Sequence, residues 1–273
     1  MRRGIPPPLP RVRLPMTNPP LAAPGYAPAA ERSSPAPHDG APPLALSKGG
    51  VDWLLVAGLL AVAAALVRAV WFTPVEAMQG AAQKIFYVHV PSAFVALYVG
   101  LPLVAIASGV YLWLKDERLD RTAEAAAEVS LVFMTVVLIT GPLWGKPIWG
   151  TWWTWDARLT LTLFLWFVVV SYLVLRGAVD DRAQRARYSA VLGILTVLLV
   201  PFIHLSVYLF RTLHPQPIVL KPGAPSLPSE MRTTLLVSLA AFALFFVALL
   251  RARVRYAQER DLLALRDAAE DAA

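Results

Sequence analysis

Six apolar runs, each long enough to cross a lipid bilayer, constrain this 273-residue chain more than any other feature. About 20 apolar residues in a helix span the ~30 Å hydrocarbon core. The runs lack the alternation of barrel strands, and only helices and closed barrels satisfy their backbone polar groups in lipid. The sequence therefore predicts an all-α integral membrane protein with spans at residues 53–73, 92–114, 126–144, 158–175, 188–209 and 233–250.

The composition favours the same fold class. Charged residues make up 16% of the chain, against about a quarter in soluble domains. The net charge of +7 comes from basic residues in the loops between apolar runs, so we expect membrane lipid rather than nucleic acid as the partner of this charge. The chain has no cysteine, which excludes disulfides, thiol redox chemistry and covalent cofactor attachment through its own thiols.

Three regions follow from the distribution of proline and charge. Residues 1–48 hold 13 of the 24 prolines without an apolar period, which predicts a disordered N-terminal region. Arg2 and Arg3 resemble a twin-arginine start, but no apolar stretch follows, so we expect no cleaved signal peptide. Residues 49–250 form the predicted six-helix membrane domain, and residues 251–273 form a tail.

The distribution of lysine and arginine predicts the orientation in the membrane. With both termini on one side, that side collects 18 of these residues and the other side 6, while Arg68 lies inside the first span. Basic residues favour the cytoplasmic side, so we expect both termini there. The first, third and fifth loops then face outward, and they hold most of the tryptophans and two of the four histidines.

The third loop, residues 141–158, is rich in tryptophan. Five of the nine tryptophans fall within 12 residues: Trp144, Trp149, Trp152, Trp153 and Trp155. An interfacial aromatic belt explains one or two rings at a helix end rather than five in one loop. Its glycines and prolines predict a non-helical path at the start of the loop. An aromatic shelf of this kind suits a large planar ligand such as a porphyrin.

Two histidines flank this loop in the sequence. His89 precedes the second span and His214 follows the fifth, and neutral imidazole is the commonest axial ligand of haem iron. A structural or hydrogen-bonding role is the alternative for each. His204 lies within the fifth span, where it either contacts a cofactor or bonds to a neighbouring helix. His38 lies in the proline-rich region and is discounted.

Basic residues near the predicted outer face are candidate partners for the propionates of a haem. They are Lys84, Arg158 and Arg68, and lipid headgroup contact is the alternative role for Lys84 and Arg68. Asp156 stands just before the fourth span, where it either caps the helix or orients an axial histidine.

These motifs resemble a known family. The run WGTWWTWD at residues 149–156 resembles the WGxxWxWD signature of the haem-handling WWD superfamily, and its surroundings resemble the haem exporter protein C (CcmC) subgroup. YVHVP at residues 87–91 and TLH at residues 212–214 resemble the contexts of the two haem histidines of that family. The resemblance covers about residues 50–250.

The resemblance implies a function and a set of partners. Members handle non-covalent haem b at the periplasmic face of the inner membrane for cytochrome c assembly, without catalysing a reaction. It implies His89 and His214 as axial ligands, with the tryptophan loop holding the haem edge. It also implies a haem chaperone of the CcmE type, ABC transporter subunits of the CcmA and CcmB type, and a small CcmD-type protein as partners.

Two other functions compete with this one. A CcsA-like or CcmF-like component of a haem–apocytochrome c ligase would normally be longer, with additional spans and further histidines inside the membrane. An electron-transfer cytochrome would need histidine pairs at two depths in the membrane, and only His204 lies within a predicted span.

Overall fold

The computed structural model describes residues 50–216 and 227–271. Within these residues the secondary structure consists of helices, and six of them are long and apolar enough to cross a membrane. They are α1 (Trp53–Trp71), α2 (Ala81–Leu114), α3 (Glu117–Trp149), α4 (Ala157–Ala178), α5 (Arg182–Leu209) and α6 (Ser229–Asp271). The predicted six-span, all-α fold is confirmed. The predicted disorder of residues 1–48 lies outside the described residues.

Aspartates fix the N-termini of four helices. The carboxylates of Asp52, Asp116, Asp156 and Asp181 accept backbone N–H groups in the first turns of α1, α3, α4 and α5. An aspartate at this position satisfies N–H groups that have no partner within the helix. Helix α3 ends at Gly150, whose φ of 75° is readily adopted only by a residue without a side chain.

Helix α2 begins earlier than the sequence predicted, so His89 is on a helix and not in a loop. A 3₁₀ turn at Ala81–Ile85 leads into α-helix at Phe86–Phe94, which continues through Pro91. The proline removes one backbone hydrogen bond, and the buried side chains of Phe86 and Tyr87 outweigh that loss by packing in the core. A π-helical turn at Val95–Gly100 precedes the last segment of α2.

Helix α3 extends further than predicted, and the expected non-helical path at the start of the third loop is wrong. Residues 141–149 are helical despite Pro142 and Pro147, which leaves only residues 150–156 between α3 and α4. The ring of Trp144 in these extra turns packs edge-on against Phe86 and His89. Tertiary packing therefore outweighs the helix-breaking tendency of proline and glycine.

The helices pack both in sequential pairs and in pairs that are distant in the sequence. Helix α1 packs on α6, α4 on α5, and α2 on both α3 and α5, while α3 also contacts α4 and α6. Helices α2 and α3 approach each other closely at Gly100, where a Cβ atom would collide with the hydroxyl of Ser130. Helix α6 runs unbroken past residue 250, so the described part of the predicted tail is helical.

An ion-pair cluster joins four helices at the end of the bundle opposite residues 150–156. The guanidinium of Arg176 on α4 is 6% exposed and donates to both carboxylate oxygens of Asp120 on α3, at 2.7 and 2.8 Å. It also donates to Glu124, which accepts from Arg260 on α6. Further pairs bring in α5 through Arg182. We call this end of the bundle the inner end and the end with residues 150–156 the outer end.

Candidate functional site

A cavity of about 220 Å³ lies at the outer end of the bundle. The N-terminal half of α2, the C-terminal half of α3, the start of α4 and the segment after α5 line it together with residues 151–154. Most of the lining is apolar, and its polar groups include two histidines and one arginine: His89, His214 and Arg158. An apolar cavity with a few convergent polar groups is the usual form of a cofactor site.

His89 is held on α2 by a hydrogen bond to α3. Its Nδ1 lies 2.9 Å from the hydroxyl oxygen of Thr140, and that hydroxyl donates its own proton to the carbonyl oxygen of Val136 at 2.7 Å. Because the hydroxyl proton is already used, Nδ1 of His89 must be the donor to Thr140. The neutral ring then keeps a lone pair on Nε2.

His214 has the same tautomer for a different reason. Its Nδ1 lies 2.9 Å from the carbonyl oxygen of Pro215, which only accepts, so Nδ1 carries the proton and Nε2 has the lone pair. The hydroxyl of Thr212 accepts the backbone N–H of His214 at 3.1 Å and orders this short segment. Burial, followed by the positive charge of Arg158, lowers the pKa of His214 to about 3, so the imidazole is neutral near pH 7.

The structure thus brings both histidines to one cavity, although 125 positions separate them in the chain. In each ring the hydrogen bond of Nδ1 leaves Nε2 free as a base. This is the arrangement that metal-bound histidines usually have, since a bond from the other ring nitrogen fixes the tautomer and the ring orientation. Neutral imidazoles with an unprotonated Nε2 are the groups that haem iron most often takes as axial ligands.

The tryptophans of the predicted loop divide into two groups. Four of them line the cavity: Trp144, Trp149, Trp152 and Trp153. Trp155 instead lies on the surface with 76% of its area exposed, and its ring packs edge-on against Trp153 at 5.8 Å. The shelf predicted from the sequence therefore consists of four rings, with the fifth on its outer side.

Side-chain hydrogen bonds give the segment 150–156 a defined path. The hydroxyl of Thr151 donates to the carbonyl oxygen of Trp153 at 3.0 Å, and the ammonium of Lys146 donates to the carbonyl oxygen of Gly150 at 2.8 Å. The same ammonium lies 5.9 Å from the ring centre of Trp152. These contacts hold the indole rings in place at the mouth of the cavity.

Only one of the three candidate propionate partners lies at the cavity. The side chain of Arg158 lines it and donates to the carbonyl oxygen of Ile203 at 3.3 Å. Lys84 is not among the residues that line the cavity. Its ammonium donates instead to the carbonyl oxygens of Thr73 and Pro74. Arg68 lies on α1, away from the lining residues.

Asp156 and His204 also have defined hydrogen-bond partners in the structure. Asp156 caps α4, since its carboxylate accepts the N–H of Leu159 at 3.0 Å and the hydroxyl of Thr154 at 3.1 Å. His204 bonds to a neighbouring helix, with Nδ1 2.9 Å from the phenol oxygen of Tyr98 on α2. Neither side chain belongs to the cavity lining.

Two functional residues escaped the sequence analysis. Thr140 fixes the tautomer of His89, and Gln79 accepts the indole N–H of Trp144 at 3.0 Å and lines the cavity. Thr140 precedes the predicted loop by one residue, and Gln79 stands in the first outward loop. Their position in or next to the outward loops was the only signal in the sequence. That position does not distinguish Thr140 and Gln79 from the other polar residues nearby.

The family model of heme exporter protein C, CcmC, matches residues 40–266 of this chain. The chain belongs to the CcmC family. The match covers the first five helices and α6 as far as residue 266, and it includes every residue that lines the cavity. The resemblance inferred from WGTWWTWD is therefore confirmed.

Curated members of the CcmC family are similar over most of their length. The heme exporter protein C of Bradyrhizobium diazoefficiens is 37% identical over 212 residues, which are 78% of this chain and 80% of that protein. The protein of the same name from Haemophilus influenzae is 36% identical over 69% of this chain and 78% of its own length. That of Escherichia coli K12 is 33% identical over 75% of this chain and 82% of its own.

Proposed function

We propose that this CcmC-family protein binds haem at the outer end of the bundle and delivers it for cytochrome c maturation. One observation carries the proposal: His89 and His214, each with Nδ1 hydrogen-bonded, share a cavity lined by four tryptophans. The names of the similar proteins, all heme exporter protein C, agree with this cargo. The haem is haem b, held without a covalent bond because the chain has no cysteine.

The small size of the cavity favours a protein that presents haem to a partner over one that encloses and stores it. Pockets that enclose a drug-sized ligand have volumes of about 300–1,000 Å³, and this cavity has about 220 Å³. A porphyrin would therefore be covered only in part. His89 and His214 would hold the iron, the indoles would contact the ring, and Arg158 would pair with a propionate.

The exposed rings are the proposed contact for the receiving protein. Trp155 is 76% exposed and Trp152 56% exposed, and both stand in the short segment over the cavity. A haem chaperone of the CcmE type would bind here and take the haem through a ligand of its own. Exposed tryptophans are frequent anchors of protein contacts. Subunits of the CcmA, CcmB and CcmD type complete the proposed assembly.

The orientation rests on the charge distribution of the loops. We place the inner end, with its arginines and carboxylates, in the cytoplasm, and the cavity at the periplasmic face of the inner membrane. Residues 49–250 act as the haem-handling domain, and residues 251–273 are the cytoplasmic tail. The ligase alternative is not favoured, since the matching family model is that of heme exporter protein C and the relatives carry the same name. The proposed role is haem delivery without catalysis.

The visible spectrum of protein purified from haem-replete membranes tests the proposal. We expect a Soret band of bis-imidazole haem at one haem per chain, lost in the His89→Ala/His214→Ala double variant. The His38→Ala variant is the matched control, because it removes a histidine of the proline-rich N-terminal region and neither proposed ligand. A double variant with full haem content and an unchanged spectrum would refute the ligand assignment.

A further inference from the structure

His204 lies on the lipid-facing side of α5, near its outer end. The neighbouring side chain of Ile203 is 1% exposed and points inward, whereas Phe202 is 62% and Leu205 47% exposed. His204 itself is half-buried between these two faces. It precedes the last helical residue, Leu209, by five positions, which places it about 7 Å below the outer end at 1.5 Å per residue.

Two tyrosines accompany this imidazole. The phenol oxygen of Tyr98 on α2 lies 2.9 Å from Nδ1 of His204, and the ring of Tyr208 lies 6.3 Å from the imidazole centre. Tyr98 and Tyr208 are 40% and 48% exposed. Tyrosine is common at the level of the lipid headgroups, whereas a histidine within a membrane span is a candidate functional residue.

The cluster lies next to the cavity, because the residue before Tyr98 on α2 and the residue before His204 on α5 both line it. Leu97 and Ile203 line the cavity, while Tyr98 and His204 lie on the neighbouring face of the same two helices. Helix α5 packs closely along Leu101–Leu114 of α2 and diverges from the rest of α2 toward the outer end. We call the contact between these two helices at Tyr98 and His204 the seam, and it lies between the lipid-facing surface and the cavity. On the cavity side of the seam, Arg158 donates to the carbonyl oxygen of Ile203.

We infer that the seam at Tyr98 and His204 captures haem from the outer leaflet and passes it to the cavity. This inference rests on the proposed function of the cavity and names the route by which it fills. Haem is amphiphilic, so in a bilayer its ring lies among the acyl chains while its propionates stay at the headgroups. Since His204 stands about 7 Å below the end of α5, we expect its imidazole to reach the iron of a haem whose propionates stay at the headgroups.

The transfer is a ligand exchange that leaves protons and electrons unchanged. When Nδ1–H of His204 donates to the phenol oxygen of Tyr98, the lone pair of Nε2 forms a bond to the iron. That bond breaks as Nε2 of His89 and Nε2 of His214 form theirs. Two ligands replace one, so the cavity outcompetes the seam. Arg158, bonded beside the seam and lining the cavity, attracts a propionate along this path.

The rate of haem loading in lipid nanodiscs tests the route. Haem-free full-length protein is mixed either with haemin already dissolved in donor vesicles or with haemin bound to albumin in water, and the Soret band is followed by stopped flow. We expect His204→Ala to slow loading from vesicles about tenfold, the loss typical for a metal-site contact. Its final absorbance and its loading from albumin should match those of the wild type.

A second variant separates capture from helix pinning. The side chain of His204→Asn keeps a hydrogen-bonding group for Tyr98 but is a poor ligand for iron, so it should load as slowly as His204→Ala. Phe202→Ala, which alters the lipid-facing surface beside the imidazole, should load like the wild type. Wild-type rates in His204→Ala, or recovery in His204→Asn, would overturn the route. A wild-type protein without histidine-ligated haem would instead overturn the proposed function.

Discussion

Nδ1 of His89 lies 2.9 Å from the hydroxyl oxygen of Thr140, whose proton is donated to the carbonyl oxygen of Val136. This relay across α2 and α3 sets the tautomer of the imidazole and leaves Nε2 as a base in the cavity. In the same way, the carbonyl oxygen of Pro215 sets the tautomer of His214. A backbone carbonyl and one threonine thus fix the tautomer of both rings in the form that the proposed ligation of iron requires.

Removal of the threonine hydroxyl should weaken haem binding. In Thr140→Val the Nδ1 proton of His89 loses its acceptor, and the ring is free to change tautomer and orientation. We expect haem affinity to fall by about 10- to 100-fold, as for other residues that orient a metal-bound histidine. Titration of haem into haem-free protein measures it. Thr140→Ser keeps the hydroxyl, and equal losses in both variants would contradict the relay.

A methyl group at Gly145 should displace a cavity tryptophan. A Cβ atom there would stand 2.9 Å from Cε3 of Trp149, closer than real side chains approach, whereas a Cβ at Gly109 on α2, outside the cavity, would meet nothing within 4 Å. We expect Gly145→Ala to release haem to apomyoglobin several-fold faster than the wild type, and Gly109→Ala to release it at nearly the wild-type rate. Equal release rates in the two variants would show that the Trp149 ring does not retain haem.

Two of the three candidate propionate partners, Arg158 and Lys84, should behave differently. Arg158 lines the cavity, whereas the ammonium of Lys84 bonds to backbone carbonyls of the α1–α2 connection. A hydrogen bond to a charged group contributes about 1.5–3 kcal/mol, so Arg158→Gln should lower haem affinity by at least about tenfold. Lys84→Gln should leave affinity unchanged. The measurement is the same titration, and a loss confined to Lys84→Gln would reverse the assignment.

The buried ion pair at the inner end should matter for stability. Arg176 is 6% exposed and bonds to Asp120 and Glu124, so Arg176→Met would leave these carboxylates buried with too little positive charge around them. Breaking such a pair costs about 3–5 kcal/mol of the free energy of unfolding. Thermal unfolding in detergent reports the change. Arg266→Met, which removes the exposed pair with Glu270, serves as the control and should leave the unfolding temperature unchanged.

Helix ends were the least predictable part of the fold. The sequence predicts the second span from residue 92, just after Pro91, and a non-helical path from residue 141, yet the structure is helical through Pro91 and Pro142. The contacts of Trp144 with Phe86 and His89 hold these extra turns together, and those partners are more than 50 residues away in the chain. A local pattern contains no information on such contacts, so propensity alone placed the boundaries wrongly.

The sequence by itself determined the six spans and the tryptophan motif, because apolar length and the order of residues are local properties of the chain. It also supplied His89 and His214 as a hypothesis. Only the tertiary structure decided which side chains share the cavity: it brought in Gln79, placed Thr140 against His89, and left Lys84 and Trp155 outside. The physical reason is that membership of a site depends on the direction of each side chain around its helix. That direction is set by how the helices pack. The composition of a helix does not reveal it.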